Sequence, residues 1–426
     1  MLQKPPQNES APLLSRRRGW LALVIFPLLL VVGIGWFAPN FVDHGQTRQH
    51  PVGGDYLQEY VGGYLVSHAA QRDQLYDPAT YRSMQHDAEW LGFQWETEHY
   101  FPMVYPPFYY AAVSPLSQLE YLTAVRIWLA LMGLALAGSL LLLKRFVDIP
   151  TWLLLATCIA SPVLLSLTTG QKATLLLLIL TASFCLWKHG KPFAAGVVFG
   201  LIAFKPHLGL PIGLIMLARR ETSFVMGTLV TLGLLIVGSG LTGAQVCMDY
   251  VDVCLGFGEY VQSVGYHLEQ GYSFWSFWQL VLGDAAAART VTMVSSMAVL
   301  LGVMWFVRKP EVREGDQALR AFSAMVIATV LVSPHLYTYD LTMLVLPLAL
   351  LASLALRPGT DWHQYAAPAA LTAVLLGSHF WTYLARLTGI QVAVPILVVT
   401  LAWILISMQW APRMATCRAV EPSAAC

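Results

Sequence analysis

Charge is what this sequence is short of. Only 12% of its 426 residues are Asp, Glu, Lys or Arg, while 57% are hydrophobic, and the mean hydropathy is +0.59. A soluble protein of this length needs about 25% charged residues to cover its surface, so that class is excluded. Net charge is +1, with no basic face and no nucleic-acid motif, so a nucleic-acid partner is excluded too. The six cysteines fit no metal-ligand spacing. Cys158 and Cys185 fall inside apolar runs, as packing residues do. Cys247 and Cys254 share a polar loop, but on a continuous helix their spacing separates them by roughly 10 Å, too far for a disulfide. Internal repeats and low-complexity tracts are absent as well.

What the chain has is apolar runs long enough to cross a bilayer. They lie at 19–38, 121–143, 150–168, 173–187, 223–241, 286–307, 318–334, 339–356, 366–385 and 390–410. A further apolar stretch, 192–218, is interrupted by Lys205, Pro206 and His207. Positive residues mark the cytoplasmic side of membrane proteins. Arg16, Arg17 and Arg18 therefore place the N-terminus inside. If 192–218 turns back as a hairpin, Lys144, Arg145, Arg219, Arg220, Arg308, Lys309, Arg313, Arg413 and Arg418 also fall inside. If it crossed once, three of these would move out and the loop 242–284, which has no Lys or Arg, would move in. The hairpin agrees better with the charges. The predicted fold is an all-α polytopic membrane protein of about ten full spans plus that hairpin. A membrane domain at 19–410 is flanked by cytoplasmic tails, 1–18 and 411–426.

Polar residues gather on the outer side. The first outer loop, 39–105, holds nine carboxylates against three arginines, and five of the eleven histidines. Tyr56, Tyr60 and Tyr64 recur at helical spacing, which predicts helices lying on the membrane surface. Asp55 follows Gly53-Gly54. Beside the membrane its pKa would rise and it could act as a general base, but taken alone the ordinary N-cap is the favoured reading. Asp77, in an Asp-Pro turn, reads as a cap. Gly170-Gln171-Lys172 sits between two spans, where free backbone donors and a lysine suit an anion. Lys205 lies below the outer surface, where an unpaired ammonium costs several kcal/mol. It needs a protein carboxylate or a lipid phosphate. At Ser333-Pro334-His335 and Tyr337-Thr338-Tyr339-Asp340, ionisable and tyrosine side chains share an outer corner, either as a site or as an aromatic belt with a capping Asp.

Taken in order, these stretches resemble glycosyltransferase family 87, within the glycosyltransferase C superfamily. The resemblance rests on Asp55 with Tyr60, Leu75-Tyr76-Asp77-Pro78, Tyr105-Pro106-Pro107 and Ser114-Pro115-Leu116. It continues through Ser161-Pro162, Gly170-Gln171, Ala195-Gly196, Gly200-Leu201 and Lys205-Pro206-His207 to Ser333-Pro334 and Tyr339-Asp340. Lys172 stands where the family commonly has Asn, and His207 where many members have Gln. The resemblance implies a glycosyltransferase C-type helical bundle in a bacterial inner membrane, with the site facing the extracytoplasmic side. It also implies a polyprenyl-phosphate sugar donor but does not identify the sugar; a hexose such as mannose, a lipid or glycan acceptor, and no cofactor or metal are the accompanying expectations. Asp55 would be the base. Lys205, His207, Lys172 and Gln171 would hold the donor phosphate, and Tyr60, Tyr105, His335, Tyr339 and Asp340 would line the substrate site. Two other classes fit part of the pattern. A lipid or sugar flippase would use the intramembrane Lys205, but such proteins are usually built from repeats. An O-antigen-type ligase or polymerase would lean on Arg and His in a late outer loop, where this chain has mainly acids and tyrosines.

Overall fold

In a computed structural model, residues 13–37, 50–96, 99–263, 267–308, 312 and 314–418 are described. Residues 1–12 and 419–426 of the tails, 38–49 of the first loop, and Lys309 and Arg313 lie outside them. The chain opens with α1 (Leu13–Phe37), which runs through the arginine triplet into the first apolar run. The first loop then folds into α2 (Tyr56–Ser67), α3 (Pro78–Gln85) and α4 (Ala88–Leu91). Asp77 and Asp87 cap α3 and α4 with their side chains, as their positions before a helix call for. The expected surface location fails for α2. Ten of its 12 residues are buried, because Gly62 and Gly63 let it close on Tyr110 and Ser117. It is a core element of the outer end. Tyr110 belongs to α5 (Pro107–Val113), the short helix that follows the proline pair.

The next segment is α6 (Tyr121–Phe146), about 39 Å long at 1.5 Å per residue, enough for a hydrocarbon core of about 30 Å. α7 (Thr151–Cys158) and α8 (Ser161–Thr168) form one apolar segment bent by 49°. Pro162 opens α8, where its missing N–H costs nothing. α9 (Ala173–Lys188) leads to α10 (Pro192–Gly200), a 3-10 turn at 201–204, and α11 (Pro206–Ala218). α12 (Thr222–Gly240) then packs along α10, backbone to backbone. A Cβ on Gly196 would lie 1.9 Å from the Phe224 carbonyl, and one on Gly227 would lie 2.1 Å from that of Phe193. Small residues permit such approach between membrane helices. The Thr228 and Thr231 hydroxyls donate to the carbonyls of Gly196 and Val197. These pairings run in the same direction along both helices, so the chain between them must reverse. Lys205 sits at the reversal.

Beyond α12 come α13 (Ala244–Ser263), α14 (Phe274–Leu282) and α15 (Ala285–Val307). Cys247 and Cys254 lie on α13 as free thiols. α16 (Gly315–Val332) and α17 (Val345–Ala355), with the 3-10 segment Thr338–Leu344 between them, form the centre of the bundle. Of the apolar window in Thr338–Ala355, 94% is buried, against 11% for Ala285–Val307, so α15 is peripheral. The run at 366–385 is not one continuous helix. It divides at Gly377 into α18 (Ala366–Leu376) and α19 (Ser378–Thr388), and α19 carries His379, Arg386 and other polar residues. α20 (Ala393–Arg418) ends the chain. Among the described residues, five helices are long and apolar enough to cross a membrane, six counting the bent pair, and five shorter apolar helices accompany them. The described residues contain no β-strand, only one isolated antiparallel bridge between Gly271 and Tyr337.

Candidate active site

Two tight turns in backbone contact build the site. Gly53 and Gly54 adopt φ of 77° and 58°, and Gly170 adopts 65°, conformations that L side chains rarely reach. A Cβ on Gly54 would stand 2.6 Å from the Thr169 carbonyl, and one on Gly170 would stand 2.2 Å from that of Gly53. The Asp55 N–H donates to the Thr169 carbonyl at 2.9 Å. Trp128 locks the pair, stacking on Tyr56 at 5.0 Å and donating Nε1–H to the Gly170 carbonyl at 2.8 Å. This crossing sets residue 55 beside residue 171.

Although Asp55 occupies the N-cap position of α2, its side chain caps nothing. Its carboxylate instead accepts a hydrogen bond from the Gln171 amide, and the residue stays partly exposed. Burial raises the Asp55 pKa, while the Gln171 amide and the Lys172 charge pull it back. Glu59 lies four residues on, hence on the same helical face. Fully buried, it forms an ion pair with fully buried Lys172. Burial lowers the Lys172 amine to about 8, with Glu59 opposing. The Lys172 ammonium also sits 3.7 Å from the centre of the Tyr105 ring, a cation–π contact. Tyr105 is held in turn by the Tyr76 hydroxyl, which donates to its carbonyl at 2.6 Å.

The hairpin apex arrives from the other side. Tyr109 stacks on Phe204 at 5.6 Å, and the next residue, Lys205, donates to Asp340 at 2.6 Å. Lys205 lies 5.0 Å from the centre of the Tyr339 ring. Asp340 also accepts from the Tyr337 N–H at 3.4 Å, so it closes its own turn and neutralises Lys205 together. The rings of His207 and His335 meet edge to face at 6.2 Å, and burial lowers His335 to about 4. His207 Nε2 is buried with no hydrogen-bond partner among the described residues. Charges on Lys172, Glu59 and Lys205 all act on Asp55, so the two lysine pairs and Asp55 form one electrostatic cluster. Three carboxylates face two ammoniums, and Asp55 is the one that has no ion pair among the described residues.

Of the residues read from sequence, Asp55, Gln171, Lys172, Tyr105, Lys205, His207, His335, Tyr339 and Asp340 are brought together. Tyr60 is not: its hydroxyl donates to the Leu119 carbonyl and its ring packs on Tyr121 and Trp90. Sequence reasoning missed Glu59, although its four-residue spacing from Asp55 on a helix was a usable signal.

A helical membrane protein with a buried, mostly paired charge cluster at one end of its bundle is the class these features define. Residues 103–334, more than half of the chain, match glycosyltransferase family 87, and the chain belongs to that family. It is therefore a membrane glycosyltransferase. The matched region contains Tyr105, Gln171, Lys172, Lys205 and His207, while Asp55, Glu59 and Asp340 lie outside it. No curated protein and no solved structure matches the chain.

Proposed function

We propose that the enzyme transfers a hexose such as mannose from a polyprenyl-phosphate donor to a lipid or glycan acceptor, with inversion and with Asp55 as general base. The observation that carries this reading is the carboxylate of Asp55. It is released from capping, aimed by Gln171, without an ion pair among the described residues, and partly exposed. Asp55 takes the acceptor hydroxyl proton as that oxygen attacks the sugar C1. The bond between C1 and the phosphate oxygen breaks on the opposite face, and the phosphate leaves with the electron pair.

Lys205 and Lys172 stabilise the charge growing on that phosphate. Each ammonium has three donors and spends one on its carboxylate, which leaves others for phosphate oxygens. Asp340 and Glu59 thus hold the lysines charged and in place before the donor arrives. His207 offers a further polar contact through its unpartnered Nε2. The Lys and Arg distribution supports an inner-membrane orientation with this end extracytoplasmic.

The test is transfer of labelled hexose from polyprenyl-phosphate hexose in nanodiscs supplied with membrane-extract acceptors. Asp55→Asn is expected to lose about 10²–10⁴-fold in turnover at unchanged expression. Asp77→Ala, which removes only the cap of α3, is expected to keep its turnover and lose about 1 kcal/mol of stability. Wild-type turnover in Asp55→Asn rules out the base.

A further inference from the structure

A second charged feature lies at the far end of the bundle. Arg320, near the start of α16, is thirteen residues before Ser333 and so roughly 20 Å along the helix from the site end. Its side chain is only 9% exposed. The acid placed to neutralise it is Asp316, four residues back on the same face. Both Asp316 oxygens are taken by Arg357, at 2.8 and 2.9 Å. Arg320 Nη2 reaches Gln364 Oε1 only at 3.5 Å, and Nη1 has no protein partner. Among the described residues no carboxylate forms an ion pair with Arg320. A buried guanidinium that no carboxylate among the described residues pairs directly is costly, and it points to an anion from outside those residues.

Arg320 lines a cavity of about 90 Å³ together with Gln364, His363, Trp403 and Ser407. Arg320, the Gln364 amide and the His363 ring carry polar hydrogens that suit an oxyanion, and none of these lining residues is an acid. The position in the membrane narrows the choice of anion. Trp362, 83% exposed, and exposed Tyr365 flank His363 and Gln364 on the same short turn. Tryptophan and tyrosine collect at headgroup depth, so the cavity opens where lipid phosphates lie. Basic pockets between membrane helices bind anionic headgroups.

We propose that this cavity, remote from the transferase site, binds a phosphate group, that of an anionic glycerophospholipid, through Arg320. The guanidinium would take two phosphate oxygens in its planar fork, with the Gln364 amide N–H completing the shell.

The experiment measures thermal unfolding of the full chain in nanodiscs of phosphatidylcholine alone or with phosphatidylglycerol. Native mass spectrometry scores the retained lipid. Wild type is expected to melt several degrees higher with phosphatidylglycerol and to retain it through detergent exchange. Arg320→Met should lose both responses, and Arg320→Lys should keep part of each. A separate arm adds inorganic phosphate to phosphatidylcholine discs. An equal rise there overturns the lipid assignment in favour of a soluble phosphate. Equal shifts in wild type and Arg320→Met overturn the site itself. If the Met variant folds poorly, wild type decides: release of phosphatidylglycerol as readily as phosphatidylcholine overturns the proposal.

Discussion

Replacing Lys205 with Met removes one charge from a buried pair and keeps most of the apolar stem. The ammonium stands 2.6 Å from Asp340 Oδ1, and both side chains are nearly inaccessible. With an effective dielectric of about 20, Coulomb attraction at that distance is roughly 6 kcal/mol. Desolvation costs several kcal/mol per ion, so the pair as a whole contributes little net stability. Its loss is asymmetric. Lys205→Met leaves a buried carboxylate whose remaining contact is the Tyr337 N–H at 3.4 Å. Breaking one partner of such a pair costs about 3–5 kcal/mol, and the surviving contact argues for the lower end. Asp340→Asn strands the ammonium against the Tyr339 face at 5.0 Å, which offsets about 1–2 kcal/mol. The double variant leaves no unpaired charge at this pair, so it should be more stable than the sum of the singles by about 2–3 kcal/mol. The assay is equilibrium unfolding of all four proteins in one nanodisc composition, with donor affinity measured alongside. Wild-type stability in Lys205→Met, or strict additivity in the double variant, refutes the structural ion pair. Lost donor affinity in the double variant with recovered stability shows that Lys205 serves the phosphate as well.

Two further outcomes follow from the site's geometry. Burial raises the Asp55 pKa, and the base must be deprotonated, so the acid limb of kcat/KM should fall above the ordinary aspartate value of about 3.9. Gln171→Leu removes a donor that favours the carboxylate and should move that limb higher; an acid limb below the ordinary value contradicts the assignment. For stability the sign is opposite. The native state holds an extra proton between the unfolded and folded values, so Asp55 lowers stability as pH rises through that window. Gly170→Ala places a methyl 2.2 Å from the Gly53 carbonyl in a left-handed backbone, which should cost more than about 1 kcal/mol. It should also part Gln171 from Asp55, and unaltered transfer by this variant counts against that alignment.

The sequence by itself determined the membrane class, the capping role of Asp77 and the reversal at Lys205. These follow from local composition, from helix-end chemistry and from where charge can sit along the chain. The ten spans read from it stand against five or six helices long and apolar enough to cross a membrane among the described residues. Tertiary structure alone decided which groups meet. Asp55 and Gln171 are 116 residues apart, Glu59 and Lys172 are 113 apart, and Lys205 and Asp340 are 135 apart. No local rule fixes such pairings, because they depend on two turns that cross with no room for a side chain at Gly54 or Gly170. The same limit explains why α2, read as a surface helix, is buried. Its apolar and aromatic residues suit a membrane surface or a protein interior equally, and only the fit of Gly62 against Tyr110 chooses between them.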